Sequence, residues 1–318
     1  MKIVILDGYA ANPGDLSWDG IAKYGELTVY DRTPEDKIIE RIADNDIVII
    51  NKPIISRAVI EACPTVKMIA LLATGYNIVD IEAAREHNIP VCNIPSYSTA
   101  SVAQITMAHL LEITMHVGEY TKLCKDGTWT NCRDFSFTAA PLTELAGKTV
   151  GIIGYGQIGQ AFGKICRAMD MNLLVYSPHR RPELEDDNIH YVNLDELYAN
   201  ADIISMHCPV FPETKGMINR ESIAKMKDGA IFLNMSRGQL VDEQALADAL
   251  NSGKLRAAGL DVVAVEPIQE NNPLRTAKNV YMTPHVGWAP YESRARLMKI
   301  LEENIRCFIG GHPINVVN

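Results

Sequence analysis

The sequence has no run of about 18 consecutive apolar residues, which excludes a spanning helix of ordinary length. Its opening, MKIVILDGYA, lacks the long apolar segment and small-residue cleavage site of a secretory leader and reads as a first strand. No Cys-x-x-Cys pair occurs and the seven cysteines are odd in number, so neither a zinc site nor a disulfide framework is signalled. Reduced thiols in a cytoplasm are the simplest expectation. His87, His109, His116, His179, His190, His207 and His312 show no paired ligand spacing, and no metal site is expected. Positive charge is also short: 30 Lys and Arg stand against 39 Asp and Glu, a net charge of -9, which disfavours a nucleic-acid binder. Short-period repeats and low-complexity tracts are absent.

What is present is a chain of 318 residues, long enough for two domains that each bury a core. Two series of short apolar runs appear. The first holds KIVILD, DIVII, VKMIALLA and IPVCNI; the second holds KTVGIIG, NLLVYS, ADIISMHCP, GAIFLNMS, AAGLDVV and NVYMTPHVG. β-Branched and leucine-rich runs alternating with helical stretches predict strands buried on both faces of parallel sheets, so both halves are read as α/β. Between the series, residues 98–123 form one long helical pattern behind serine and threonine caps, and the polar, turn-rich stretch after it reads as a long loop. A last helix follows TPHVGWAP and stops at Gly310 and Gly311. The second series is expected to be inserted into the first domain, with the chain crossing at 95–100 and returning near 288–292.

Gly154-x-Gly156-x-x-Gly159 directly follows an apolar strand and leads into a helix. The first glycine permits a tight turn, the second lets a pyrophosphate approach the backbone, and the third lets helix and strand pack closely. The helix N-terminus offers N–H groups to phosphate. An acidic residue that would hold a ribose is missing where the next strand ends: Ser177 stands there, followed by His179, Arg180 and Arg181. The missing carboxylate and nearby arginines lean toward NADP over NAD, a 2′-phosphate pairing with Arg180 or Arg181; the alternative is a solvated charged loop.

Three further strand ends carry polar residues: Arg237, then Asp261 and Glu266, then His285. Ligands of open parallel sheets bind outside the carboxyl ends of strands, so these side chains could converge over a nicotinamide. Arg237 is a planar partner for a substrate carboxylate, His285 can exchange a proton near neutral pH, and Glu266 could orient the imidazole. Taken singly, each residue has an ordinary structural explanation; their shared placement at strand ends favours catalysis.

These motifs (Gly154 to Gly159, Asn234-Met235-Ser236-Arg237-Gly238, Asp261 through Glu266-Pro267, and Pro284-His285-Val286-Gly287) resemble the D-isomer-specific 2-hydroxyacid dehydrogenases, and the resemblance covers essentially the whole chain. It implies two Rossmann-like domains with parallel sheets: a nucleotide-binding domain, 99–289, inserted into a flavodoxin-like substrate domain, 1–98 and 290–318. It implies Arg237 on the substrate carboxylate and 2-oxo oxygen, Glu266 paired with His285, and His285 as acid/base. Asp261 would hold the nicotinamide carboxamide, with Cys208 and Pro209 lining the ring site. Further expected cofactor contacts are Val102, Gln157, Ile158, Thr214, Met235, Ser236, Gly287 and, besides their catalytic roles, Arg237 and His285. The turn at Ala73, Thr74 and Gly75 would cup the carboxylate through backbone N–H groups. Trp288, and Trp129 in the long loop, point to the glycerate dehydrogenase and hydroxypyruvate reductase branch, and a C-terminal regulatory extension of the phosphoglycerate dehydrogenase kind is not expected after Asn318. The expected activity is reduction of hydroxypyruvate or glyoxylate by NAD(P)H in a homodimer built around the long helix. Rival expectations are a D-lactate or phosphoglycerate dehydrogenase type of activity, or a dinucleotide-sensing corepressor of the same fold.

Overall fold

The structure, a computed structural model, describes all 318 residues. The chain divides into two compact units, one of Met1–Ser98 with Trp288–Asn318 and one of Thr99–Gly287.

In the first unit β1 (Lys2–Ile5), β2 (Glu26–Val29), β3 (Ile47–Ile50), β4 (Met68–Leu71) and β5 (Val91–Cys92) form a sheet of order β2-β1-β3-β4-β5. Every pairing is parallel, and the order is the flavodoxin-like one, with its switch between β1 and β3. Side chains alternate between faces along a strand, so Val4, Val48 and Ile50 enter one core while Ile3, Ile5, Ile47 and Ile49 enter the other. The C-terminal helix, Tyr291–Ile309, belongs to this unit because Leu297, Leu301 and Ile305 recur at four-residue spacing and pack on the second of those faces. All three are fully buried, and truncating one to alanine costs about 2–5 kcal/mol by the usual cavity relation. Arg294 ties the start of that helix to the loop after β1, donating to both carboxylate oxygens of Asp15 at 2.6 Å.

The second unit contains β6 (Thr149–Ile153), β7 (Asn172–Tyr176), β8 (Ile189–Tyr191), β9 (Ile203–Met206), β10 (Ala230–Asn234), β11 (Leu255–Leu260) and β12 (Val280–Met282). Their order is β12-β11-β10-β9-β6-β7-β8, again wholly parallel. Counted from β6, this is the doubly wound dinucleotide-binding order with one extra strand, and the order reverses between β6 and β9.

The helical pattern over 98–123 is not one helix. It forms Thr99–Met115 and Val117–Lys125, broken at His116, which sits in the left-handed region at φ 50°. The break has a local cause: the Glu112 carboxylate turns back to accept the Gly118 N–H at 3.2 Å, and glycine there weakens continuation of the first helix. Residues 126–148 form no helix or strand.

Candidate active site

Two of the three glycines in the second unit's turn stand where only glycine fits. Gly154 has φ 95°, and a Cβ there would stand 2.6 Å from the His207 carbonyl oxygen. A Cβ on Gly159 would stand 2.3 Å from the Gly154 carbonyl oxygen, so the helix Gln157–Ala168 can lie this close to the strand only without one. At Gly156, by contrast, a Cβ would meet nothing within 4 Å. Open space therefore lies directly before the helix N-terminus, where an approaching pyrophosphate would meet the dipole and first-turn N–H groups. The residues fit a dinucleotide.

The other strand ends of the sheet carry the remaining groups in spatial order. His285 follows β12, Asp261 follows β11, Arg237 follows β10, Cys208 and Pro209 follow β9, the glycine turn follows β6, and Ser177 follows β7. Adjacent strands lie about 4.8 Å apart, so His285, Asp261 and Arg237 leave three neighbouring strands within about 10 Å of sheet.

His285 Nδ1 lies 2.6 Å from Glu266 Oε2. A carboxylate only accepts, so Nδ1 carries a hydrogen and Nε2 is left as the ring atom with its lone pair or proton free for a ligand. His285 itself is at φ 53°, a conformation costing a non-glycine residue about 1 kcal/mol. Asp261, 2% exposed, holds that turn. Its backbone oxygen accepts the His285 N–H at 2.8 Å, while its carboxylate accepts the Thr283 hydroxyl at 2.5 Å, the Val286 N–H at 2.9 Å and the Gly287 N–H at 2.8 Å. A carboxylate has about four lone-pair sites, so one is left for another donor.

Arg237 stands in a turn fixed by buried Asn234, whose side chain accepts from Ser236 N–H at 3.0 Å and donates to the Arg237 carbonyl at 2.9 Å. Ser236 Oγ donates to the Met206 carbonyl at 2.6 Å, tying the turn to β9. The turn packs directly on the segment that carries Glu266, since a Cβ on Gly238 would fall 1.9 Å from the Val263 carbonyl carbon. Glu243 accepts the Ala264 N–H at 2.7 Å, and Gln239 donates to the Ala264 carbonyl at 2.9 Å. Gln239, Glu243 and Thr283 are thus supports that sequence reading missed, and Asn234 appeared there only as part of a motif, without this role. Asn234 alone left a signal, a polar residue ending an otherwise apolar strand.

Of the other expected residues, Met235 and Val102 are buried, and Val102 lies beside Gly287. Ile158 packs against the core face under the helix that Gln157 begins. Burial pushes the Cys208 thiol up to about 11 and leaves it un-ionised at neutral pH. Thr214 donates to the Pro209 carbonyl at 2.9 Å and closes that turn. Ser177 is half-buried and brings no carboxylate. Arg180 is already occupied: it donates to both oxygens of Glu185 at 2.9 Å, whereas the Arg181 side chain makes no hydrogen bond or ion pair. In the first unit, the turn at Ala73, Thr74 and Gly75 is fixed by Ile94, whose N–H reaches the Ala73 carbonyl at 2.9 Å and whose carbonyl accepts the Thr74 hydroxyl at 2.7 Å. Trp288 packs on the first unit's apolar cluster, and exposed Trp129 donates to the Phe135 carbonyl at 2.9 Å within its own loop.

A glycine turn fitted to a pyrophosphate, with an Arg and a Glu-paired His beside it on the same sheet edge, defines a nicotinamide dinucleotide-dependent oxidoreductase. Residues 107–287 match the family described as D-isomer specific 2-hydroxyacid dehydrogenase, NAD binding domain. Among curated relatives, the hydroxypyruvate reductase of Blautia hydrogenotrophica is 55% identical over 100% of both chains. The glycerate dehydrogenase of Methylorubrum extorquens is 36% identical over 90% of this chain and 89% of its own. A solved acyclic imino acid reductase in complex with NADPH and D-Arg superposes with a TM-score of 0.88, at 31% identity and with 100% of each chain covered. The chain belongs to the D-isomer-specific 2-hydroxyacid dehydrogenase family, on the branch whose members are named hydroxypyruvate reductase and glycerate dehydrogenase. No helix is long and apolar enough to cross a membrane.

Proposed function

We propose that this chain reduces hydroxypyruvate, and less specifically glyoxylate, to the D-2-hydroxy acid, and that it accepts NADPH at least comparably to NADH. The observation that carries this reading is the 2.6 Å His285–Glu266 pair two strands from Arg237 on the carboxyl edge of one sheet. Bound on the Gly154 turn, a reduced nicotinamide dinucleotide supplies the hydride. Arg237 pairs with the substrate carboxylate and sets the 2-oxo carbon in position. Protonated His285 delivers the Nε2 proton to the C2 oxygen as negative charge develops there, and the Glu266 carboxylate stabilises the imidazolium. Asp261 holds the His285 turn and keeps one lone pair for the carboxamide. The Ala73–Thr74–Gly75 turn offers backbone N–H groups of the kind that cup a carboxylate, and Trp288 supplies bulk that favours short acids. The nucleotide role falls to the second unit and the substrate role to the first. Ser177 removes the charge that would repel a 2′-phosphate, which supports the NADPH reading.

Val117, Trp129, Phe135 and Leu142 are exposed apolar side chains at and beyond the end of the long helical stretch, and a homodimer built around that stretch is part of the proposal. Seven free thiols suit a reducing compartment such as the cytoplasm. The test is a panel of 2-oxo acids run with NADH and NADPH side by side, in the parent and in Ser177→Asp. Hydroxypyruvate and glyoxylate should exceed phenylpyruvate in kcat/KM, and Ser177→Asp should swing the preference toward NADH. Equal efficiency with phenylpyruvate would overturn the substrate reading. A parent that strongly prefers NADH, with no swing in the variant, would overturn the NADPH one.

A further inference from the structure

The loop after β7 carries two arginines in different states. Arg180 donates through Nη2 to both oxygens of Glu185, at 2.9 Å each, and its guanidinium lies 5.9 Å from the Tyr191 ring centroid. Arg181, the next residue, is exposed and makes neither a hydrogen bond nor an ion pair through its side chain. Glu185 is itself anchored from behind. Its Oε1 accepts the backbone N–H of Tyr191, the last residue of edge strand β8, at 3.0 Å. That backbone bond first, and Arg180 second, hold the Glu185 carboxyl below its ordinary range, so it is ionised at neutral pH. The chain of contact then runs on into the dinucleotide turn, because Tyr191 meets Tyr155, inside the glycine motif, edge to face at 6.1 Å.

We infer that Glu185 is a specificity-determining residue for the cofactor: by holding Arg180 it withholds one of two cations from a ribose 2′-phosphate and keeps NADPH and NADH closer in efficiency than Ser177 and two free arginines would. The inference rests on the proposed binding of the dinucleotide's ribose end beside Ser177. The physical basis is a competition between two anions for one guanidinium. A carboxylate fixed to the sheet edge by a backbone N–H need not be ordered to keep Arg180, whereas a 2′-phosphate must break that pair before it gains its own charge-assisted bond. Arg181, without a partner, faces no such competition and supplies the contact that remains. Glu185 acts through Arg180 and does not touch the cofactor, so it is a positioning residue. NADH, which carries a hydroxyl at this place, gains nothing from releasing Arg180.

The experiment is a double-mutant cycle read as the ratio of kcat/KM for NADPH to that for NADH, at fixed hydroxypyruvate and at low and high salt. Glu185→Gln keeps the size and the Tyr191 contact but loosens Arg180. It should raise the ratio roughly tenfold, the worth of one exposed charge-assisted bond, through KM for NADPH with kcat nearly unchanged. In the Arg180→Ala background the same substitution should change the ratio by less than about twofold. An unchanged ratio in Glu185→Gln overturns the inference. So does a gain that survives Arg180→Ala, which would mean that removing a negative charge anywhere on this loop is enough. A parent that prefers NADH strongly would sink the NADPH reading above and leave this test intact, because the swing on releasing Arg180 is measured against the parent.

Discussion

The two sheets share parallel pairing and a reversal of strand order, yet what stands at their reversals is opposite in kind. Between β6 and β9 the second unit places glycine, open space and a helix of twelve residues, Gln157–Ala168. Between β1 and β3 the first unit places a carboxylate. Asp7 accepts the Asn51 N–H at 2.7 Å and the Lys52 N–H at 2.8 Å, filling from its own chain the position that the other unit leaves open. Beyond Asp7 the chain enters a turn-rich loop and a four-residue helix, Asp19–Ala22, too short to present a useful dipole. A parallel sheet with a switch point is therefore only a platform, and the residues capping its strands decide what it can hold.

The comparison can be broken most severely at the chemistry. If the reacting groups all belong to the second unit's sheet edge, Arg237→Gln should lower kcat/KM for hydroxypyruvate by about a thousandfold, while the dinucleotide Kd changes by less than about threefold. Near-normal turnover would reduce Arg237 to a surface charge. Next in size is a pair of glycine substitutions. Gly154→Ala meets both a positive φ and the His207 backbone, and should cost about 2–4 kcal/mol with cofactor binding weakened at least about tenfold. Gly8→Ala, at the matching place after β1, meets only the side chains of Trp18, Val29 and Ile5 at 3.1–3.4 Å and no positive φ. It should cost about 1 kcal/mol and leave cofactor binding alone. Equal effects in chemical denaturation and dinucleotide titration would erase the distinction between the two turns.

The smallest effect concerns Asp7. Burial lifts its carboxyl from 3.8 to about 6, against the opposing pull of the two N–H groups it accepts. The folded state then holds the proton more tightly than the unfolded one. This contribution to stability is present in full below about pH 4 and is lost as pH rises through about 6. Asp7→Asn should therefore gain on the parent as pH rises from about 4 to about 6, by a few degrees in Tm, although it gives up one acceptor. A difference in Tm that does not vary with pH would show that Asp7 is ionised throughout the range.

How much of this was legible in the sequence depends on how local each cause is. The glycine turn could be read directly, because three glycines at fixed spacing after an apolar run answer a constraint contained in six residues. Arg237, Glu266 and His285 could be singled out because each follows an apolar strand, and a parallel sheet delivers all strand ends to one edge. The supports could not. Thr283 meets Asp261 across 22 residues, and Glu243 meets Asn272 across 29, at separations with no period to betray them. The occupation of Arg180 by Glu185 was hidden for another reason: HRRPELEDD holds several acids within reach, and composition does not say which one an arginine takes. The break at His116 was masked by a continuous apolar pattern, because the carboxylate that ends the helix, Glu112, lies inside it.

The mechanism stands or falls on His285. The direct measurement is His285→Gln, assayed in one preparation for hydroxypyruvate reduction and for dinucleotide binding by fluorescence titration. Glutamine keeps comparable bulk and polarity, but its amide N–H is far too weak an acid to deliver a proton from the Nε2 position. A proton delivered from His285 requires kcat/KM to fall by about a thousandfold or more, with the dinucleotide Kd within about threefold of the parent. A variant that binds the dinucleotide normally and still reduces hydroxypyruvate at close to the parent rate would contradict it.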